Sequence, residues 1–512
     1  MPIANYQLRI GLICAEISIS DWLFSVSLFA LQFAIFSFIM SMFRTNINAL
    51  KPSPMRGVLD ALWPIAAGIV AGLFMYLALG PLVGGYASNL LMVIAINILL
   101  ATSLTVVNGF TGQFSIGHGA FMGVGAYVGG TTVYYASLLI FKNADASGGL
   151  LSNTLSGSLV GPLVSTGDLI FLVSVVAAAL AAALAGFVVG LPSLRLKGDY
   201  LAIVTLGFGE ILRVLLQGTP EQIMPWKAAE AASVPVYELV YKVGGSQGLK
   251  FIPSYTSLFW AYFFVAVCLI LMLRLKTSSM GRTFLSIRED EVAAQAMGVH
   301  VTRVKVRAFV LSSAFAGVAG ALYAMQTGTL VPQDFGYQRS FEVLILVVLG
   351  GLGSISGAAL AAVLLTILPE VLRDPSALVG VWPWIVGVAV LSASAGVWLL
   401  VIAKKQKRVR QLPFALIGLG IGLLVFLGIC QVATWQGWNL GKYRLIVYAL
   451  ALILMLMLRP KGLLGVCELW DKALWHELFG KMRLKGDAGK GDAGKGDQAK
   501  GNLASASDKG GA

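Results

Sequence analysis

Three histidines and four cysteines are the residues best suited to metal or nucleophilic chemistry, and their spacing supports neither. His118, His300 and His476 are scattered, and Cys14, Cys268, Cys430 and Cys467 form no C-x-x-C pair, so no metal centre or disulfide frame is expected. No G-x-x-x-x-G-K-[ST] loop occurs, so the chain brings no phosphate-binding loop of its own. The charged residues are more informative. Arg282, Arg288, Glu289, Asp290, Glu291, Arg303, Lys305 and Arg307 crowd into Gly281 to Phe309, between long apolar stretches. Residues 282–297 fit one amphipathic helix with an interrupted apolar stripe of Phe284, Ile287, Val292 and Met297. It cannot span a bilayer, because each central charge costs about 2.5–3.5 kcal/mol. A helix lying on lipid favours Lys and Arg on its polar face. The acidic run Glu289-Asp290-Glu291 instead suits a protein partner.

Other polar residues sit inside apolar segments. Gln113, Ser115 and His118 stand among Gly112, Gly117 and Gly119 at the entry to one segment. They suit either a translocation path or close helix packing, and the spacing of Gly119 with Gly123 and Gly125 with Gly129 favours packing. Glu210 and Arg213 are three apart on one helix, where an ionisable group is a functional candidate by default and a mutual pair is the simpler expectation.

These residues are held in a chain of 512 residues that is 57% hydrophobic and only 12% charged. A soluble domain carries about 25% charge, so the solvent is lipid. The net charge of +13 then marks one face of a membrane rather than a nucleic-acid partner. The expected fold is all-α and polytopic, with about 11 spans, near 22–43, 58–80, 86–107, 119–141, 168–190, 200–217, 255–275, 308–328, 383–403, 413–432 and 443–458. Segment 341–372 is apolar but broken by "GGLGSISG", where Gly350, Gly351, Gly353 and Gly357 suggest a broken hairpin or a close-packed turn between two short spans. Loops 44–57, 191–199, 276–307 and 404–412 and the tail from Arg459 all carry net positive charge. That places them and the C-terminus inside the cell, provided 341–372 enters and leaves by one face. The 22–43 segment is expected to stay as an anchor, since no small-residue cleavage site follows it. The repeat "KGDAGKGDAGKGDQAKGN" from about 485 cannot build a core and reads as disordered.

Four stretches resemble one known family. "GFTGQFSIGHGAFMGVGAY" (109–127), "LRLKGDYLAIVTLGFGEILR" (194–213), "GRTFLSIREDEVAAQAMGV" (281–299) and "LVVLGGLGSISGA" (346–358), with "LRPKGLLG" (458–465), are similar to the M-type permease of branched-chain amino acid ABC importers. "E-V-A-A-Q-A-M-G" resembles the family's E-A-A loop, although no Leu-Pro pair follows. The resemblance implies an ABC importer permease fold and a transport subunit, not an enzyme. It implies an ATPase-coupling helix that includes Arg288, Glu289, Glu291, Ala293, Ala294 and Gly298. It also implies a second permease subunit, two cytoplasmic ATPases that use ATP, a periplasmic substrate-binding protein and a bacterial inner-membrane location. On this reading residues 1–84 hold an anchor and first spans, and 85–380 the permease core. An inserted two-span hairpin occupies 381–440, the final span 441–466 and the tail 467–512. The related urea and short-amide permeases share the motifs and remain the alternative. A secondary transporter or channel would need coupling carboxylates in its spans, and only Glu210, Asp60, Glu342 and Glu370 offer any.

Overall fold

The computed structural model describes residues 54–79, 85–141, 166–193, 200–227 and 233–373, together with Ile453, Gly462, Gly465 and Glu468. All lie in one compact unit, Met1–Pro383 with Leu427–Leu469. The expected anchor at 22–43, the inserted hairpin and the repeat tail lie outside the described residues, as does the expected final span, 441–466, apart from Ile453, Gly462 and Gly465.

Described segments are helical and contain no strand; one isolated bridge joins Leu249 and Leu330. The helices are α1 (Pro54–Phe74), α2 (Gly85–Leu104), α3 (His118–Phe141), α4 (Thr166–Ser193), α5 (Tyr200–Gln217), α6 (Val236–Tyr241), α7 (Leu258–Thr277), α8 (Ser279–Glu289), α9 (Glu291–Ala296), α10 (Val301–Thr327), α11 (Tyr337–Gly350) and α12 (Ile355–Arg373). Wider π-turns extend α1 over Met75–Leu79 and α2 over Thr105–Phe110. Six described helices are long and apolar enough to cross a membrane: Gly85–Phe110, His118–Phe141, Gly167–Leu191, Tyr200–Gln217, Leu258–Thr277 and Val301–Thr327. Trp63–Leu77 and Ile355–Pro369 are shorter apolar helices.

Small residues set the packing, as they must where lipid tails are as apolar as leucine and helices gain mainly from close contact. α10 packs against α2, α3 and α4. A side chain at Gly125 of α3 would strike the backbone of Gly317, and one at Gly129 would stand 2.9 Å from Ala321 Cβ. At Gly68 and Gly72 of α1, an added carbon would come within 2.7 Å of Val267 and of the Phe259 carbonyl on α7. α2 is buried almost all round, from Leu91 through Phe110, as a helix apolar on every face should be. Gly320→Val tests this crossing, since its β-carbon would press on the Met122 carbonyl and stand 2.7 Å from Ala126 N. Overpacking costs about 1–3 kcal/mol, so the purified chain should unfold at a lower temperature in detergent. An unchanged midpoint would show that α3 and α10 are not in such contact.

Two expectations about the charged segment are corrected. Residues 282–297 form two helices, α8 and α9, separated at Asp290. The span expected at 308–328 starts at Val301, so Arg303, Lys305 and Arg307 lie on the first turns of α10 rather than in a loop. Apolarity marks where a helix enters lipid, and the hydrogen-bonded helix continues beyond that boundary. The segment 341–372 is two helices, α11 and α12, broken at residues 351–354.

Candidate functional site

The charged segment begins where α7 ends. Ser278 is extended, and its Oγ accepts the Gly281 N–H at 3.1 Å, so α8 starts afresh in a new direction. One face of α8 is apolar and buried: Gly281, Phe284 and Ile287. Asp290 is extended at φ −155, and its Oδ1 accepts the Val292 and Ala293 N–H groups at 2.8 and 3.0 Å. That N-cap opens α9. α9 closes with the Gly298 N–H on the Gln295 carbonyl and the Val299 N–H on the Ala294 carbonyl, a Schellman pair. The pair needs a left-handed residue, and Gly298 supplies it at φ +87.

The residues named from sequence divide between two sides. Ala294 is buried against Ile287 and Val301. Arg288 also turns inward, where its Nη1 donates to the Gly109 carbonyl at 2.8 Å. Glu289, Glu291, Ala293 and Gly298 face outward. So do two apolar side chains, Val292 at 76% exposure and Met297 at 84%. Glu291 Oε2 accepts from Lys305 Nζ at 2.7 Å, which ties α9 to α10. Half-exposed pairs of this kind contribute about 0–1 kcal/mol. Glu291→Lys should therefore leave the fold intact but set two cations together, and the swap Glu291→Lys with Lys305→Glu should recover whatever stability is lost. Thermal midpoints of the three chains check it; a swap no better than the single change would deny the pairing.

The glycines of the broken hairpin are packed, not open. Gly350 and Gly357 touch across the break, and Gly351 lies against Gly462 and Gly465, within the "RPKGLLG" stretch. Gly353 holds φ +102, and a β-carbon there would stand 2.5 Å from Arg288 Nη1. A β-carbon at Gly109 would stand 2.8 Å from Gly353 N. Lys276 Nζ donates to the Gly353 carbonyl at 2.9 Å. The charged segment, the end of α2 and the hairpin break thus meet at one place. Sequence reading named the glycines and Arg288 separately and missed Lys276 and Glu468. No spacing signal joins positions so far apart in the chain.

The path candidates are elsewhere. Ser115 and Asn108 bond each other, Ser115 N to Asn108 Oδ1 at 3.2 Å and Asn108 Nδ2 to the Ser115 carbonyl at 3.4 Å. His118 is buried, with Nε2 at 2.6 Å from Ser103 Oγ, and Ser312 Oγ bonds the Ser103 carbonyl at 2.7 Å. Gln113 is buried, and neither of its amide atoms has a hydrogen-bond partner among the described residues. Glu210 Oε2 pairs with Arg213 Nε at 2.8 Å, and its Oε1 accepts from Tyr337 N at 3.2 Å. Ser115 and His118 therefore lock α2, α3 and the turn between them, while Glu210 joins α5 to the start of α11. Among the described residues no group of three or more His, Cys, Asp or Glu stands close enough to hold a metal ion.

A helical bundle with six described helices long and apolar enough to cross a membrane, a broken glycine hairpin and a docked amphipathic pair is the architecture of a polytopic membrane protein. Residues 86–391 match the family model "Branched-chain amino acid transport system / permease component", and the chain belongs to that family. It is 35% identical over 293 residues to the high-affinity branched-chain amino acid transport system permease protein LivM of Salmonella typhimurium, covering 54% of this chain and 62% of that protein. It is 26% identical to a probable branched-chain amino acid transport permease protein LivM of Methanocaldococcus jannaschii, covering 56% of this chain and 81% of the relative. It is 24% identical to the permease protein LivH of Escherichia coli K12, covering 52% and 79%. The chain thus spans less than two thirds of the Salmonella relative. No solved structure matches it.

Proposed function

We propose that this chain is the membrane permease subunit of an ATP-driven importer for branched-chain amino acids. The observation that carries the reading is α8–α9: one face anchored on the bundle, the other offering exposed Val292 and Met297 to a partner. A chain without a phosphate-binding loop must receive the work of ATP through contact. On this reading α8–α9 is the coupling element, with Glu289, Glu291, Ala293 and Gly298 on the docking side and Arg288 and Ala294 behind it. Two cytoplasmic ATPase subunits use the ATP, a second permease subunit faces this one, and a periplasmic binding protein delivers substrate. Similarity to both LivM and LivH proteins supports the permease pair. On this reading the chain lies in the inner membrane with the C-terminus on the cytoplasmic side, and the net positive charge of 276–307 and of the tail from Arg459 supports that orientation. Gln113, Ser115, His118 and Glu210 are the polar positions nearest a path, the first three acting through packing.

The test is reconstitution of the chain with its partners in vesicles. Uptake of leucine, isoleucine or valine that requires ATP and the binding protein is the expected result. Uptake of urea in place of these amino acids would move the substrate to the short-amide class. Uptake that follows an ion gradient without ATP would overturn the reading.

A further inference from the structure

Glu468 is a carboxylate buried to 4% exposure, placed shortly after the "RPKGLLG" stretch. Its oxygens gather around the first turn of α12. Oε1 accepts the Ile355 N–H at 3.1 Å, and Oε2 accepts the Ser356 N–H at 3.0 Å and the Ser356 hydroxyl at 2.6 Å. Ser354 Oγ donates to Oε2 at 3.3 Å. Lys276 Nζ donates to Oε1 at 2.5 Å and to the Gly353 carbonyl at 2.9 Å, and it lies 5.7 Å from the centre of the Phe110 ring. Free backbone N–H groups at a helix start attract an anion, and here a distant part of the same chain supplies it.

Lys276 is the next-to-last residue of α7, and α8 starts three residues later. From α8, Arg288 reaches the Gly109 carbonyl, whose residue abuts Gly353. Lys276 therefore holds the hairpin break directly, and Arg288 holds the end of α2 that packs against it. Glu468 fixes Lys276 to the first turn of α12. If α8–α9 shifts, Lys276 with Glu468 pulls on residues 353–356 and Arg288 pulls on the end of α2 beside them. An apolar contact would let them slide, whereas an ion pair that also shares backbone N–H groups is directional.

We infer that Glu468 is a positioning residue that, with Lys276, clamps its own part of the chain to the start of α12, so that motion of α8–α9 is delivered to the broken hairpin. This rests on the importer reading above. The expectation is a loss of coupling, not of assembly.

The experiment uses the reconstituted complex with Glu468→Gln, Lys276→Met and Lys276→Arg. Membrane level and ATPase co-purification should stay near wild type. Uptake per ATP hydrolysed should fall about tenfold or more in Glu468→Gln and Lys276→Met, because a buried pair that loses one partner is strongly weakened. Lys276→Arg, which keeps the charge, should recover most of it. Two results would overturn the inference: unchanged uptake per ATP in both disruptive variants, or an uptake loss that only follows a lower membrane level. The wild-type control separates the two ideas. ATP-driven uptake by wild type with unaltered coupling in the variants overturns this inference alone, whereas no ATP-driven uptake by wild type overturns the importer reading and this inference with it.

Discussion

Val292→Asp with Met297→Asp should abolish ATP-driven uptake while leaving the chain in the membrane at normal level. The two side chains are 76% and 84% exposed, so neither holds the fold together. Large apolar groups left open on an otherwise charged helix pair point to a partner surface. Burying a Val or Met side chain contributes about 1.5–3 kcal/mol, so losing both costs about 3–6 kcal/mol. At about 1.4 kcal/mol per decade that weakens ATPase association by roughly two to four powers of ten. Co-purification of the ATPases and uptake in matched membranes are the measurements. Undiminished ATPase binding by the double variant would remove α8–α9 from the docking surface. Attachment to lipid alone would leave ATPase binding untouched and only loosen the helix from anionic vesicles.

The spans were the most legible part of the fold, because a run of apolar residues has only one stable way to satisfy its backbone in lipid. The segment 200–217 matches α5, and 119–141 differs from α3 by one residue. The two-helix form of 282–297 was open to reading and was missed. Asp290 followed by Glu291 is a helix-start signal, but it lay inside an acidic run that also suits a solvated helix face. The apolar stripe was misjudged for the same reason. Phe284 and Ile287 belong to the buried face of α8, while Val292 on α9 and Met297 at its C-cap point away.

The meeting of α8, α2, the hairpin break and Glu468 was not legible, because no local pattern reports a contact between positions 109, 276, 288, 353 and 468. Each residue there has an ordinary local explanation: a lysine near a helix end, a glycine in a turn, an acid after a span. Only their juxtaposition turns them into one cluster. The path residues show the reverse case. Gln113, Ser115 and His118 suited either a translocation path or close packing, with packing favoured, and Ser115 and His118 have partners within the bundle.

Gly353→Ala should weaken the fold and uptake together. The residue holds φ +102, which L side chains rarely adopt, and the new carbon would stand 2.5 Å from Arg288 Nη1. Backbone strain of this kind costs about 1–3 kcal/mol. Displacing Arg288 would also leave the Gly109 carbonyl without its donor, for about 1–3 kcal/mol more. Both effects strike the point where α8 meets the break, so thermal midpoint and uptake should fall together. Arg288→Ala separates the two contributions. In the double variant Gly353→Ala with Arg288→Ala the clash is gone and the strain remains, so the methyl at Gly353 should cost less there than in the wild-type background. Equal costs in both backgrounds would mean that Arg288 does not press on Gly353, and the contact between α8 and the hairpin break would have to be abandoned.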